Sequence, residues 1–168
     1  MRHLLVRLLP FLIVGSLCAQ TQAQYDEHIQ RFEGYRAQPY VLNNRAHVGY
    51  GHLIMGDPAR YRNLSHDQLL RIYQIDFSQA YLAALTEVPS FYSHPTEVRV
   101  LIVGLAFNLG RRGLRDFTRF RAALARRDYL SAARELCNSR WARQVGRNRS
   151  QSYIQTLTSA AFVIPSMP

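Results

Sequence analysis

Glu33 is the side chain through which this sequence offers general-acid chemistry. Tyr25, Ile29 and Phe32 recur at offsets of four and three, so a helix there carries them on one apolar face. Glu33 stands four residues after Ile29, at the edge of that stripe, and Gly34 follows as a natural helix terminator. A carboxylate in a last helical turn meets the carbonyl end of the helix dipole, and burial strips away its hydration. Both effects favour the neutral acid, which can hand a proton to a leaving group near neutral pH. A lone glutamate at a helix end is ordinarily a solvated residue, so the weight rests on its surroundings.

Those surroundings read as alternating short elements. After Gly34 a hairpin pattern turns at Asn43-Asn44 and ends in Gly49-Tyr50-Gly51-His52. Asp57-Pro58 breaks the chain. Ser65 and Gln68 then form a capping box for a long helix ending near Thr86, with Leu69, Ile72, Tyr73, Phe77 and Tyr81 in helical period. Thr96 can cap a helix running to Gly110 that is apolar nearly all round from Val98 to Leu109, which marks it as buried. Short helices follow at about 114–125, 130–138 and 148–161, with Asp128 and Asn148 as caps. No repeat or long linker interrupts them. Cys137 ends an Ala-Ala-x-x-Leu-Cys helical pattern without a neighbouring base, so it reads as a buried apolar residue.

The N-terminus reads as a leader. Met1-Arg2-His3 is basic, Leu4 to Ala19 is apolar apart from Arg7 and Ser16, and Thr21-Gln22-Ala23 offers a small-residue cleavage site. The apolar stretch after Arg7 is short for a membrane span. Residues 1–23 are therefore expected to be a signal peptide, and residues 24–168 one exported domain, periplasmic or secreted. Cys18 leaves with the leader, so no internal disulfide is expected. No metal-ligand spacing or cofactor motif occurs, and neither a metal nor a cofactor is expected.

Charge divides the chain. Every one of the 21 basic side chains is arginine. Residues 24–110 hold 7 arginines and 8 acids, whereas residues 111–168 hold 12 arginines and 3 acids. The basic half is either a solvated face or a surface for a polyanion. The chain carries no nucleic-acid module and has an export signal, so an anionic cell envelope is the expected partner and nucleic acid is not. A monomer without a membrane span is expected after cleavage.

The string Phe32-Glu33-Gly34-x-Arg36, then Tyr40, then Gly49-Tyr50-Gly51-His52, resembles the phage-type lysozymes, the family 24 glycoside hydrolases. Ala106 to Gly110, Phe117-Thr118, Ser139-Arg140-Trp141 and Asn148-Arg149 continue the likeness over about residues 25–160. The resemblance implies an α+β lysozyme-like fold. A small N-terminal lobe with a β-hairpin, a long linking helix and a mainly helical C-terminal lobe would enclose a cleft for the glycan strands of peptidoglycan. It implies Glu33 as the catalytic acid and Arg149 as the arginine packed against it, the alternative for Arg149 being one more member of the basic surface. Arg36 either holds a cleft carboxylate or is solvated. Asn108 binds an N-acetyl group or caps backbone, and Trp141 is core in preference to a sugar platform. His52 is structural, with Asp76 as its expected partner.

One departure matters more than the matches. The family places an acid nine residues after the glutamate, where Leu42 stands here, or Val41 counting back from Gly49. Its threonine, two before the Gly-Tyr-Gly-His string, is His47. Three readings are open. His47 replaces the carboxylate as base or nucleophile, with the family's inversion or a change to retention, or the sugar's own hydroxyl attacks and leaves an anhydro product as in a lytic transglycosylase. Asp57 enters the cleft from the next loop. Or the site is catalytically impaired, and the fold binds peptidoglycan or a protein.

Overall fold

The computed structural model describes residues 22–162. Residues 1–21 of the expected leader lie outside them, and residues 22–23 continue the first helix. That helix, α1, runs to residue 33. Gly34 ends it with φ +67°, its N–H returning to the Gln30 carbonyl at 3.0 Å. A left-handed residue there is nearly free for glycine and costs other residues about 1–2 kcal/mol.

A three-stranded antiparallel sheet follows in the order β1 (Arg36–Leu42), β2 (Arg45–Gly49) and β3 (His52–Leu53). Asn43 and Asn44 both take positive φ, as a two-residue hairpin turn demands. The turn fixes the register, with Leu42 opposite Arg45 and Tyr40 opposite His47. Val48 and Ala46 face a small core with Ile54 and Leu69, so His47 and Arg45 must face the other way. The sheet is thus a wall with a packed side and an open side.

Helix α2 (His66–Glu87) links the lobes. Ser65 and Gln68 make the expected capping box. Leu69 belongs to the small core, while Tyr73, Ala80 and Ala84 belong to the larger one, so one rod is buried at both ends in different cores. Its 22 residues measure about 33 Å. His52 Nδ1 meets Asp76 at 2.8 Å and ties β3 to this rod, the pairing expected.

The larger core centres on α3 (Thr96–Asp116). Val98 and the run from Val100 to Ala106 are buried. Pro95, not Thr96, occupies the cap position, and no side chain caps this end. Gly110 (φ +68°) breaks the helix where the sequence stops being apolar. Leu114 belongs to the piece beyond that break. A second break at Phe117 precedes α4 (Thr118–Ala125), so the helix expected over 114–125 is divided.

Helix α5 (Tyr129–Cys137) is capped by Asp128, which accepts from the Ser131 N–H at 3.0 Å. Cys137 is exposed, contrary to expectation. Ala132, Ala133 and Leu136 define the inner face, and the next residue after Leu136 turns outward. A short helix α6 (Arg140–Gln144), capped by Ser139, precedes α7 (Arg147–Phe162). Asn148 lies inside α7 and is not its cap.

Helix α1 packs with the larger core through Tyr25 and Ile29. Glu33 therefore projects from the C-terminal body toward a sheet built on the other core. A β-carbon at Gly104 of α3 would collide with Tyr153 Oη of α7 and lie 3.1 Å from the His28 ring of α1. Glycine there lets α1 and α7 close on α3, which sets Glu33 beside Arg149.

Candidate active site

A cleft of about 1090 Å³ lies between the open face of the sheet and helices α3, α6 and α7. Glu33 is on one wall. Its Oε1 lies 2.9 Å from Arg149 Nη1, with only 17% and 12% of the two side chains exposed. Arg149 also donates to the Phe32 carbonyl and lies over the Phe32 ring, 5.3 Å from its centroid. The helix end expected to repel the carboxylate is thus capped by a cation.

Burial still pushes the Glu33 pKa above its usual value. Arg149, the polar Asn108 side chain and the neighbouring His47 oppose that rise without cancelling it. Burial is therefore the cause that makes this carboxyl hold its proton more tightly than an ordinary glutamate.

Asn108 is positioned by a residue whose part the sequence did not reveal. Trp141 is buried, and its indole Nε1 donates to Asn108 Oδ1 at 2.9 Å. With the oxygen taken, the amide NH₂ is the end that serves Glu33. Gly51 (φ +84°) faces the carboxylate from the other lobe; a β-carbon there would lie 3.2 Å from Glu33 Oε2.

His47 also lines the cleft. Its Nδ1 lies 3.0 Å from the Gly51 carbonyl, which can only accept. Nδ1 therefore carries a hydrogen, so that in the uncharged form the lone pair is at Nε2. The ring stacks on Tyr40, with centroids 5.7 Å apart and planes inclined by 27°. Gly51 thus lies beside both residues: its carbonyl meets His47, and a side chain on it would meet Glu33.

Arg36 is exposed and stands over the Tyr40 ring, 4.4 Å from its centroid, outside the cleft lining. The geometry sets it apart from Glu33. Asp57 also stays away: it accepts from the Ala59 N–H at 2.9 Å and caps the 3-10 turn Pro58–Tyr61. Leu42 takes a cleft-lining position and is half exposed. Among the described residues lining the cleft, Glu33 is the only carboxylate.

Tyr40, Leu42, Arg45 and His47 share the cleft face. The Asn43-Asn44 turn contained that information, because a two-residue hairpin pairs 42 with 45 and 40 with 47. Arg147, at the start of α7, is the other lining cation the motifs did not single out. No helix among the described residues is long and apolar enough to cross a membrane.

A sequence model of the family described as Phage lysozyme matches residues 30–157, a span that holds Glu33, His47, Asn108 and Arg149. No curated protein matches the chain.

Proposed function

Because this chain belongs to the phage lysozyme family, whose activity is glycoside hydrolysis of peptidoglycan, we propose that it is an exported muramidase. It cuts the bond from N-acetylmuramic acid to N-acetylglucosamine, with Glu33 as general acid and His47 in place of the missing carboxylate. The observation that carries this reading is a glutamic acid whose pKa burial raises, set inside an inter-lobe cleft.

In this mechanism the Glu33 proton passes to the glycosidic oxygen as its bond to the anomeric carbon breaks. His47 Nε2 takes a proton from water as the water oxygen bonds to that carbon. The proton then returns to Glu33 through solvent, and both groups are reset. Arg149 and Asn108 stabilise the carboxylate that forms when Glu33 releases its proton. Their attraction for it strengthens as charge develops, which is the condition for lowering a barrier.

A second reading is favoured by Leu42. An exposed apolar side chain where the family keeps an acid suits a cleft that binds glycan without cutting it, or cuts it by internal attack of a sugar hydroxyl. Digesting purified peptidoglycan and weighing the fragments separates these outcomes. Reducing ends support the hydrolase and 1,6-anhydro ends a transglycosylase; bound but intact glycan supports the binding module. Export is part of the proposal and rests on residues 1–23. An unprocessed N-terminus in the exported fraction would refute the cleavage site. The arginine-rich half is read as contacting the anionic envelope, and the protein as acting as a monomer.

A further inference from the structure

The cleft holds more positive charge than the proposed chemistry uses. Arg45, Arg147 and Arg149 line it against the single carboxylate of Glu33. Arg149 is engaged by Glu33 and Phe32. Arg45 and Arg147 are exposed, and among the described residues neither reaches a carboxylate at ion-pair distance. They belong to different walls: Arg45 opens β2 and Arg147 opens α7.

The sheet register explains why Arg45 is free. It stands directly opposite Leu42. An acid at position 42 would lie across the strand from this guanidinium, at the spacing where opposite charges pair. With leucine there, the arginine is left to the cleft. Most surface arginines are simply solvated. Two that flank a groove differ, because a concave site with low-dielectric walls focuses their field on whatever occupies it.

We propose that Arg45 and Arg147 form an anion clamp that makes the cleft select glycans bearing free carboxylates over neutral or amidated ones. This rests on the reading of the cleft as the glycan site. The guanidinium fork matches a carboxylate in two parallel hydrogen bonds, whereas an amide offers one acceptor and no charge.

Two probes test it: a reduced disaccharide-peptide of peptidoglycan with free carboxylates, and the same compound amidated. Neither contains an internal bond of the type to be cut. Calorimetric titration of the wild-type protein is expected to show about tenfold tighter binding of the free form, the equivalent of about 1.4 kcal/mol. Arg45→Gln/Arg147→Gln is expected to bind both forms alike. Arg112→Gln/Arg126→Gln, which removes equal charge outside the cleft lining, is expected to keep the preference. Equal binding of the two forms by the wild type overturns the clamp, as does a preference that survives in Arg45→Gln/Arg147→Gln or disappears in Arg112→Gln/Arg126→Gln. A preserved preference with no cleavage of peptidoglycan refutes the muramidase and leaves the clamp standing. Cleavage without preference does the reverse.

Discussion

Arg149 and Glu33 face each other at 2.9 Å, and the same guanidinium closes the end of the helix that carries the glutamate. Arg149 thus performs two tasks: it counters the burial that raises the Glu33 pKa, and it satisfies the Phe32 carbonyl. Replacing it by Met is predicted to raise the Glu33 pKa further, because an opposing cation is lost. It also leaves a part-buried carbonyl without its partner, at a cost of about 1–3 kcal/mol. A pH–rate profile should show the alkaline limb moved upward with a lower plateau, and urea unfolding should show the stability loss.

His28 sits behind this pair, against Phe32 and Tyr153. Burial first, then Arg149 and Arg31, lowers its pKa to about 4. The folded protein therefore binds fewer protons at His28 than the unfolded chain between about pH 6.5 and 4. Stability attributable to this group is full above that window and is lost as pH falls through it, by roughly 3 kcal/mol in total. Glu33, with its raised pKa, acts in the opposite direction. Urea unfolding of wild type and His28→Phe at pH 7 and pH 4.5 isolates the histidine: the variant should lose clearly less stability on acidification.

Gly51 allows the lobes to meet at the site. Gly51→Ala places a methyl about 3.2 Å from Glu33 Oε2 on a backbone with φ +84°. A non-glycine residue in the left-handed region costs about 1–2 kcal/mol. The variant is expected to fold with a lower melting temperature and to lose activity by at least tenfold, because it crowds Glu33 and shifts the carbonyl that orients His47. Activity equal to wild type, per folded molecule, would show that neither contact matters to catalysis.

The two histidines of the sheet should separate cleanly. His47→Ala is predicted to lower turnover on peptidoglycan by about 10²-fold or more, the usual worth of a positioned general base. His52→Asn should lower stability through its lost pairing with Asp76 while leaving turnover per folded molecule nearly intact. Tyr40→Leu removes the ring stacked on His47 and should reduce kcat, whereas Tyr40→Phe keeps the stack and should not. Unchanged turnover in His47→Ala discards its catalytic part.

The elements were legible where local chemistry decides them. The Ser65–Gln68 box, the Asn43-Asn44 turn, Gly34 and the apolar run of α3 each announce themselves in a few adjacent residues. Glu33 was legible because its periodic neighbours bury it. Cys137 was misread because one step around a helix separates the inner face of Leu136 from solvent. The bond from Trp141 to Asn108 and the approach of Gly51 to Glu33 join distant segments, and no local pattern encodes them. The charge of the cleft was hidden for a different reason. Arg45 and Arg147 look like ordinary surface arginines until the sheet register and the fold set them on facing walls.

The central claim is that burial raises the affinity of Glu33 for its proton in the cleft. It is tested most directly by following the side-chain carboxyl carbon of Glu33 by NMR as pH is varied, with Glu33→Gln identifying the resonance. The midpoint is predicted to lie above the ordinary glutamate value of 4.5 and to coincide with the loss of activity toward alkaline pH. A midpoint at or below 4.5 would contradict it, since burial would then give Glu33 no firmer hold on its proton than an ordinary glutamate has.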